Sequence, residues 1–215
     1  MTTTDAYGEL LRIDRPVITT REAATRLQTT TSNASRRLRA MEKAGLVRHL
    51  RHGLWGLDNE TDPFVLAPYL TAPFPAYVSL WSALARHGMI EQIPRQISVV
   101  SLDRARKVTT TIGTYSIHHL PPELFDGYRG LETSGYLATP EKALFDTVYV
   151  RAAGVRAGGG TRTFFPELLL PAAFDDAQLK QWIGRVNAPR LRTLVARGVR
   201  EALRQASREG SSSRR

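Results

Sequence analysis

The run from Thr30 to Leu57, TTSNASRRLRAMEKAGLVRHLRHGLWGL, constrains this chain most, because its hydrophobic period changes partway along. Ala34, Leu38 and Met41 recur at i, i+4 and i+7, the stripe of a helix with one buried side. At 100° per residue, Ser32, Arg36, Arg39 and Lys43 fall on the opposite side, with Asn33 and Arg37 on the flanks. Gly45 suits the left-handed residue that closes a helix. Beyond it, LVRHLR and LWGL flank His52-Gly53, which reads as two short strands around a tight turn. Leu46, Arg48 and Leu50 share a face, so the alternation is imperfect, and the pattern leaves open which side of the pair is buried.

The residues upstream supply the other elements. DAYGELLR, residues 5 to 12, forms a short amphipathic helix that ends before Pro16, since the residue preceding proline disfavours the helical conformation. Val17-Ile18 is extended. Thr19 and Glu22 then have the spacing of a capping box, which starts a second helix with Ala23, Ala24 and Leu27 on its inner face. Helix, strand, helix, turn, helix, hairpin is the order of a winged helix-turn-helix, whose third helix enters a DNA major groove. In that reading Thr30, Thr31, Ser32, Asn33 and Ser35 are small polar residues that let the helix start approach the duplex, where its N–H groups bind phosphate. Arg36, Arg37, Arg39 and Lys43 grip phosphates or read guanine O6 and N7. Arg48, Arg51 and His52 reach phosphate or minor groove from the hairpin, while Trp55 anchors the returning strand on the helices. An arginine-rich helix face is commonly only a solvated face. Here the element order, the local charge and the small polar helix start coincide, which favours double-stranded DNA.

Charge follows the same division. The 215 residues carry a net charge of +10. Residues 21–51 hold eight basic against two acidic residues, 151–215 hold thirteen against five, and 52–150 hold seven against ten. Two basic blocks therefore flank a slightly acidic middle, the distribution expected when a polyanion meets part of the surface. The chain has no cysteine, which removes disulfides, thiolate metal sites and cysteine nucleophiles. No stretch reads as a leader or membrane span, so the expectation is a soluble cytoplasmic protein.

DNETDP, residues 58–63, reads as a linker. A second unit follows. FVLAPYL is a short apolar piece, Tyr77-Val78 is extended, and a helix begins at Ser79 or Ser82. ISVVSL is a strand, and KVTTTIGTYSIHHL is a hairpin turning at Ile112-Gly113. GYLATPEKALFDTVYV gives a strand, a turn and a helix with Thr139 as N-cap and Pro140 at its first position. Helices near 175–186 and 189–206 finish the chain. The expected class is α+β: a winged helix-turn-helix over 1–58, an α+β domain over 64–206 with a mixed or antiparallel sheet and C-terminal helices, and a disordered tail over 207–215.

YVSLWSALARHGMIEQIPRQISVV, then LFDGY and YLATPEKALFDTVY, resembles the AbiEi family of antitoxins from type IV toxin–antitoxin systems. The resemblance runs from the winged helix to about residue 186, and its most specific parts are the SALARHG helix with the following IP and the TPEKALFD segment. It implies a repressor that binds inverted repeats in its own operator through the N-terminal domain. It also implies a C-terminal domain that counteracts a nucleotidyltransferase-type toxin without requiring a stable complex. The oligomeric state stays open at this point: a monomer in solution is one option, with two copies that meet only on DNA filling the inverted repeats. The glycine-rich segment 156–163 and the arginine-rich end depart from the family pattern. The alternative reading is a winged-helix transcription regulator whose C-terminal domain senses a ligand or protein, with no toxin partner.

Candidate chemistry is thin, and the expectation is no enzyme, no cofactor and no metal. His118 and His119 are adjacent, so in a strand they point to opposite faces. AGGGTR lacks the GK[ST] ending of a phosphate loop. Glu141 and Asp146 lie five apart on one helix and do not face each other, which argues against a paired-carboxylate site. Glu141 sits instead where the helix dipole favours a carboxylate. Ser79 or Ser82 with His87 lacks a third orienting group. On the last helix, Leu191, Leu194, Val195, Val199 and Ala202 line one face, and Arg190, Arg197, Arg200 and Arg204 group on the other. That second basic surface is open to three readings: nucleic acid, an acidic partner, or water alone.

Overall fold

The computed structural model describes residues 2–58, 60–131, 135–154, 165 and 167–212. The first helix, α1 (Thr3–Leu11), starts earlier than its apolar pattern suggests because Thr2 and Asp5 form a capping box. After β1 (Val17–Thr19), α2 (Thr20–Arg26) begins at the anticipated box: Thr19 N donates to Glu22 Oε2 at 2.7 Å and Glu22 N donates to Thr19 Oγ1 at 3.1 Å. Such a cap stabilises a helix by about 1 kcal/mol. Next comes α3 (Thr31–Lys43), with Thr30 as N-cap. Gly45 closes it at φ 72°, so that the Leu46 amide donates back to the Met41 carbonyl at 2.9 Å, a Schellman ending.

Two strands, β2 (Arg48–Arg51) and β3 (Leu54–Gly56), complete the first unit, in an antiparallel sheet of order β1-β3-β2. The imperfect alternation of the sequence has a cause: β2 shifts register between His49 and Arg51, a bulge at Leu50. The question of which side is buried resolves as both. Ile18, Val47, Trp55 and Leu57 pack with the helix residues Ala23, Ala34, Leu38 and Met41, while Val17, Leu50 and Leu54 join the core of the following unit. Trp55 is the expected anchor: it is buried, and its Nε1 donates to Thr20 Oγ1 at 2.9 Å.

The described residues of the segment read as a linker are tied by hydrogen bonds. Thr61 is buried and donates to Asp58 Oδ1 at 2.7 Å, and Asp62 accepts from the Phe64 amide to cap a 3-10 turn over Pro63–Leu66. The chain continues through α4 (Ala67–Thr71), β4 (Ala76–Val78), α5 (Leu80–Arg86), β5 (Ile97–Ser101), β6 (Arg106–Thr110), β7 (Gly113–His119), β8 (Tyr128–Gly130) and β9 (Tyr136–Ala138). These strands form one sheet of order β6-β7-β5-β4-β9-β8. It is mixed, because β4–β9 and β5–β7 are parallel and the remaining pairs antiparallel. The hairpin turns at Thr111-Ile112, one residue earlier than expected, and β8 was not anticipated.

Three more helices cover the sheet. At the centre lies α6 (Pro140–Gly154), buried continuously from Glu141 to Val148, and α5, α7 (Asp176–Arg185) and α8 (Pro189–Ser212) pack against it. The backbone of α8 runs to Ser212, so the tail expected to be disordered from 207 is helical for six more residues. Among the described residues no helix is long and apolar enough to cross a membrane.

Candidate nucleic-acid interface

The outward side of α3 is built by subtraction. Burial of Ala34, Leu38 and Met41 fixes the helix roll, which leaves Thr31, Ser32, Arg36, Arg39 and Lys43 exposed. The hairpin turn stands beside this face and is tied down, since the Thr20 amide donates to the Gly53 carbonyl at 2.9 Å. Between them lies an open concavity of about 1250 Å³. Its walls carry Arg21, Arg36, Arg39, Lys43 and His52, with Glu42 as the acid among them. Hydroxyls of Thr19, Thr20, Thr31, Ser32 and Ser35 and the rings of His49 and Trp55 complete the lining. The two rings pack with centroids 4.6 Å apart.

Seven of the sequence-predicted residues, Thr31, Ser32, Ser35, Arg36, Arg39, Lys43 and His52, converge on this concavity. The others lie outside its lining. Thr30 uses its hydroxyl to cap α3, and Asn33 accepts from Arg36 Nη2 at 2.9 Å, which holds that guanidinium beside the helix start. Arg37 is half-buried on the flank. Arg51 is exposed at the end of β2. Arg48 is placed differently from its expected reach toward DNA: it is half-buried, with Nη2 3.5 Å from the Thr111 carbonyl oxygen. Sequence reasoning missed Arg21 and His49. Arg21 is in the first turn of α2 and lines the same concavity, and its place at the head of the basic block over residues 21–51 was its signal.

On α8, Val195, Val199 and Ala202 of the expected apolar face are buried and Leu191 and Leu194 are half-buried, while Arg190, Arg197, Arg200 and Arg204 are exposed.

TPEKALFD encloses a different kind of charge. Lys142 and Asp146, one turn apart, are fully buried with Nζ 2.9 Å from Oδ1. The other carboxylate oxygen of Asp146 accepts from Ser79 Oγ at 2.7 Å and Tyr77 OH at 3.0 Å, and Lys142 Nζ donates to the Leu124 carbonyl at 2.6 Å. The ammonium also lies over the rings of Phe145 and Trp182, at 4.8 and 5.1 Å. Burial pushes the Asp146 carboxyl above its ordinary range, against the pull of Lys142, Ser79 and Tyr77. Burial, with the Asp146 charge beside it, pushes the Tyr77 hydroxyl up as well.

Glu141 is separate from this cluster and accepts from the Asp175 amide at 3.0 Å, so it anchors the start of α7 as well as facing its own helix dipole. Ser79 occupies the N-cap position of α5, but its hydroxyl is spent on Asp146 and does not cap the helix. Ser82 bonds the Ser98 amide, and His87 Nε2 lies 2.7 Å from the Ala138 carbonyl oxygen, so the three do not assemble as nucleophile and base. His118 lies near Ser116 and His119 near the Asp103 carbonyl, apart from each other. The glycine-rich segment 156–163 lies outside the described residues.

A scan against protein-family models finds no match to this chain, and a search of curated proteins likewise finds none.

Proposed function

We propose that this protein is a winged helix-turn-helix repressor that binds double-stranded DNA with α3 in the major groove and the β2–β3 turn as the wing. The observation that carries the reading is the open concavity between α3 and that turn, with four cationic side chains on its walls and one acid. Cations held around a concave surface neutralise a backbone that bears one charge per roughly 1.7 Å of duplex axis. Hydroxyls at the start of α3 leave room for the duplex to approach. We further propose, from the resemblance of TPEKALFD and its neighbours to AbiEi antitoxins, that the chain represses its own operon at inverted repeats and counteracts a nucleotidyltransferase-type toxin.

Salt tests the first part. If about six phosphates are neutralised, affinity for a duplex from upstream of the chain's own gene falls roughly a thousandfold between about 50 and 200 mM salt. A flat response overturns the reading. Coexpression tests the second: the chain rescues growth when the product of the adjacent gene is toxic, and failure to rescue removes the antitoxin role while leaving the repressor. That outcome would favour the alternative of a sensing domain. It has one supporting feature, a groove of about 430 Å³ beside Trp81, Ile90, Ile93 and Pro94.

A further inference from the structure

β2 is one of the two edge strands of the first sheet, and edge strands leave backbone groups without partners from their own sheet. Here those groups are taken by the second unit. Thr111, in the β6–β7 turn, donates its N–H to the Leu50 carbonyl at 2.9 Å and its hydroxyl to the His49 carbonyl at 2.8 Å. Arg48 reaches back toward the Thr111 carbonyl oxygen. These bonds fall at the bulge of β2, where the ladder to β3 shifts register. A bulged residue is the one its own ladder holds least, so an outside partner there sets the course of the strand. Downstream of it the strand carries Arg51 and the His52-Gly53 tip, and upstream the His49 ring that lines the concavity.

We infer that Thr111 is a positioning residue for DNA recognition: from the second unit it clamps the bulge of β2 and so sets where His49 and the wing tip stand relative to α3. The inference rests on the DNA-binding reading. Thr111 acts through the carbonyls of His49 and Leu50 and makes no phosphate contact.

The full chain carrying Thr111→Val, Thr111→Ser or Thr109→Val is titrated with the upstream duplex over a range of salt. Thr111→Val lacks the hydroxyl bond and binds about threefold to tenfold more weakly, the worth of one net hydrogen bond. Its salt slope matches that of the unmodified chain, because no phosphate contact is lost. Thr111→Ser restores binding, and Thr109→Val, an exposed position on the same hairpin, leaves it unchanged. Three results overturn the inference: wild-type affinity for Thr111→Val, a salt slope reduced by about one, or a serine variant as weak as the valine one. Amide exchange over residues 48–56 of the free protein tests the clamp without DNA. Thr111→Val speeds that exchange and Thr111→Ser does not; equal exchange in all three overturns it. If the unmodified chain binds no duplex, the DNA reading fails, and the exchange result still decides the clamp.

Discussion

Two settings of basic side chains contrast in this protein. Around α3, Arg36, Arg39 and Lys43 stand exposed on the wall of an open concavity, whereas Lys142 in α6 is sealed from water beside Asp146. Solvated charges cost the fold little and remain available to an outside anion. A buried charge is tolerated only with its partner, and removing that partner is costly although the pair itself contributes little net stability. The difference separates cations left open to solvent from one that ties helices together.

Breaking the buried pair gives the largest effect. Asp146→Ala strands the Lys142 ammonium and costs about 3–5 kcal/mol in denaturant unfolding. The double variant Lys142→Met/Asp146→Leu recovers most of that loss; equal loss in both would mean that Lys142 is not the group left stranded. On the open side, Arg36→Ala with Arg39→Ala leaves the unfolding midpoint unchanged and weakens duplex binding by about 2–4 kcal/mol. The salt slope drops by roughly two. Unchanged affinity would move the contact to another surface. The smallest effect belongs to a third setting, exposed and paired. Lys180 lies 3.8 Å from Asp176 on the surface of α7, and Lys180→Ala shifts stability by less than about 0.5 kcal/mol with no change in duplex binding.

Local chemistry is what the sequence discloses best. The Thr19–Glu22 box, the buried stripe of α3, the Gly45 ending and the exposed cations each depend on residues within a turn or two, and the structure has them where the pattern placed them. The TPEKALFD cluster was harder to see, because Tyr77 and Ser79 reach Asp146 from sixty-nine and sixty-seven residues away. Part of it was within reach: Lys142 and Asp146 are spaced i, i+4 and enclose Ala-Leu-Phe, so the same helix turn had to bury or expose them together. The surroundings of Arg48 were illegible for a similar reason. Its spacing put it on the hairpin, but the Thr111 carbonyl that it approaches comes from a strand pair that no local pattern links to β2.

The three-stranded sheet with a core on each side has a consequence for exchange between proteins. Val17, Leu50 and Leu54 are apolar because another unit covers them, so the first fifty-eight residues are not a detachable cassette. Fused to a foreign effector, they would present a bare hydrophobic face unless the new neighbour brought a matching cover. Recombination that swaps α3 alone, within the loops that bracket it, keeps that seam intact, because Ala34, Leu38 and Met41 pack in the other core.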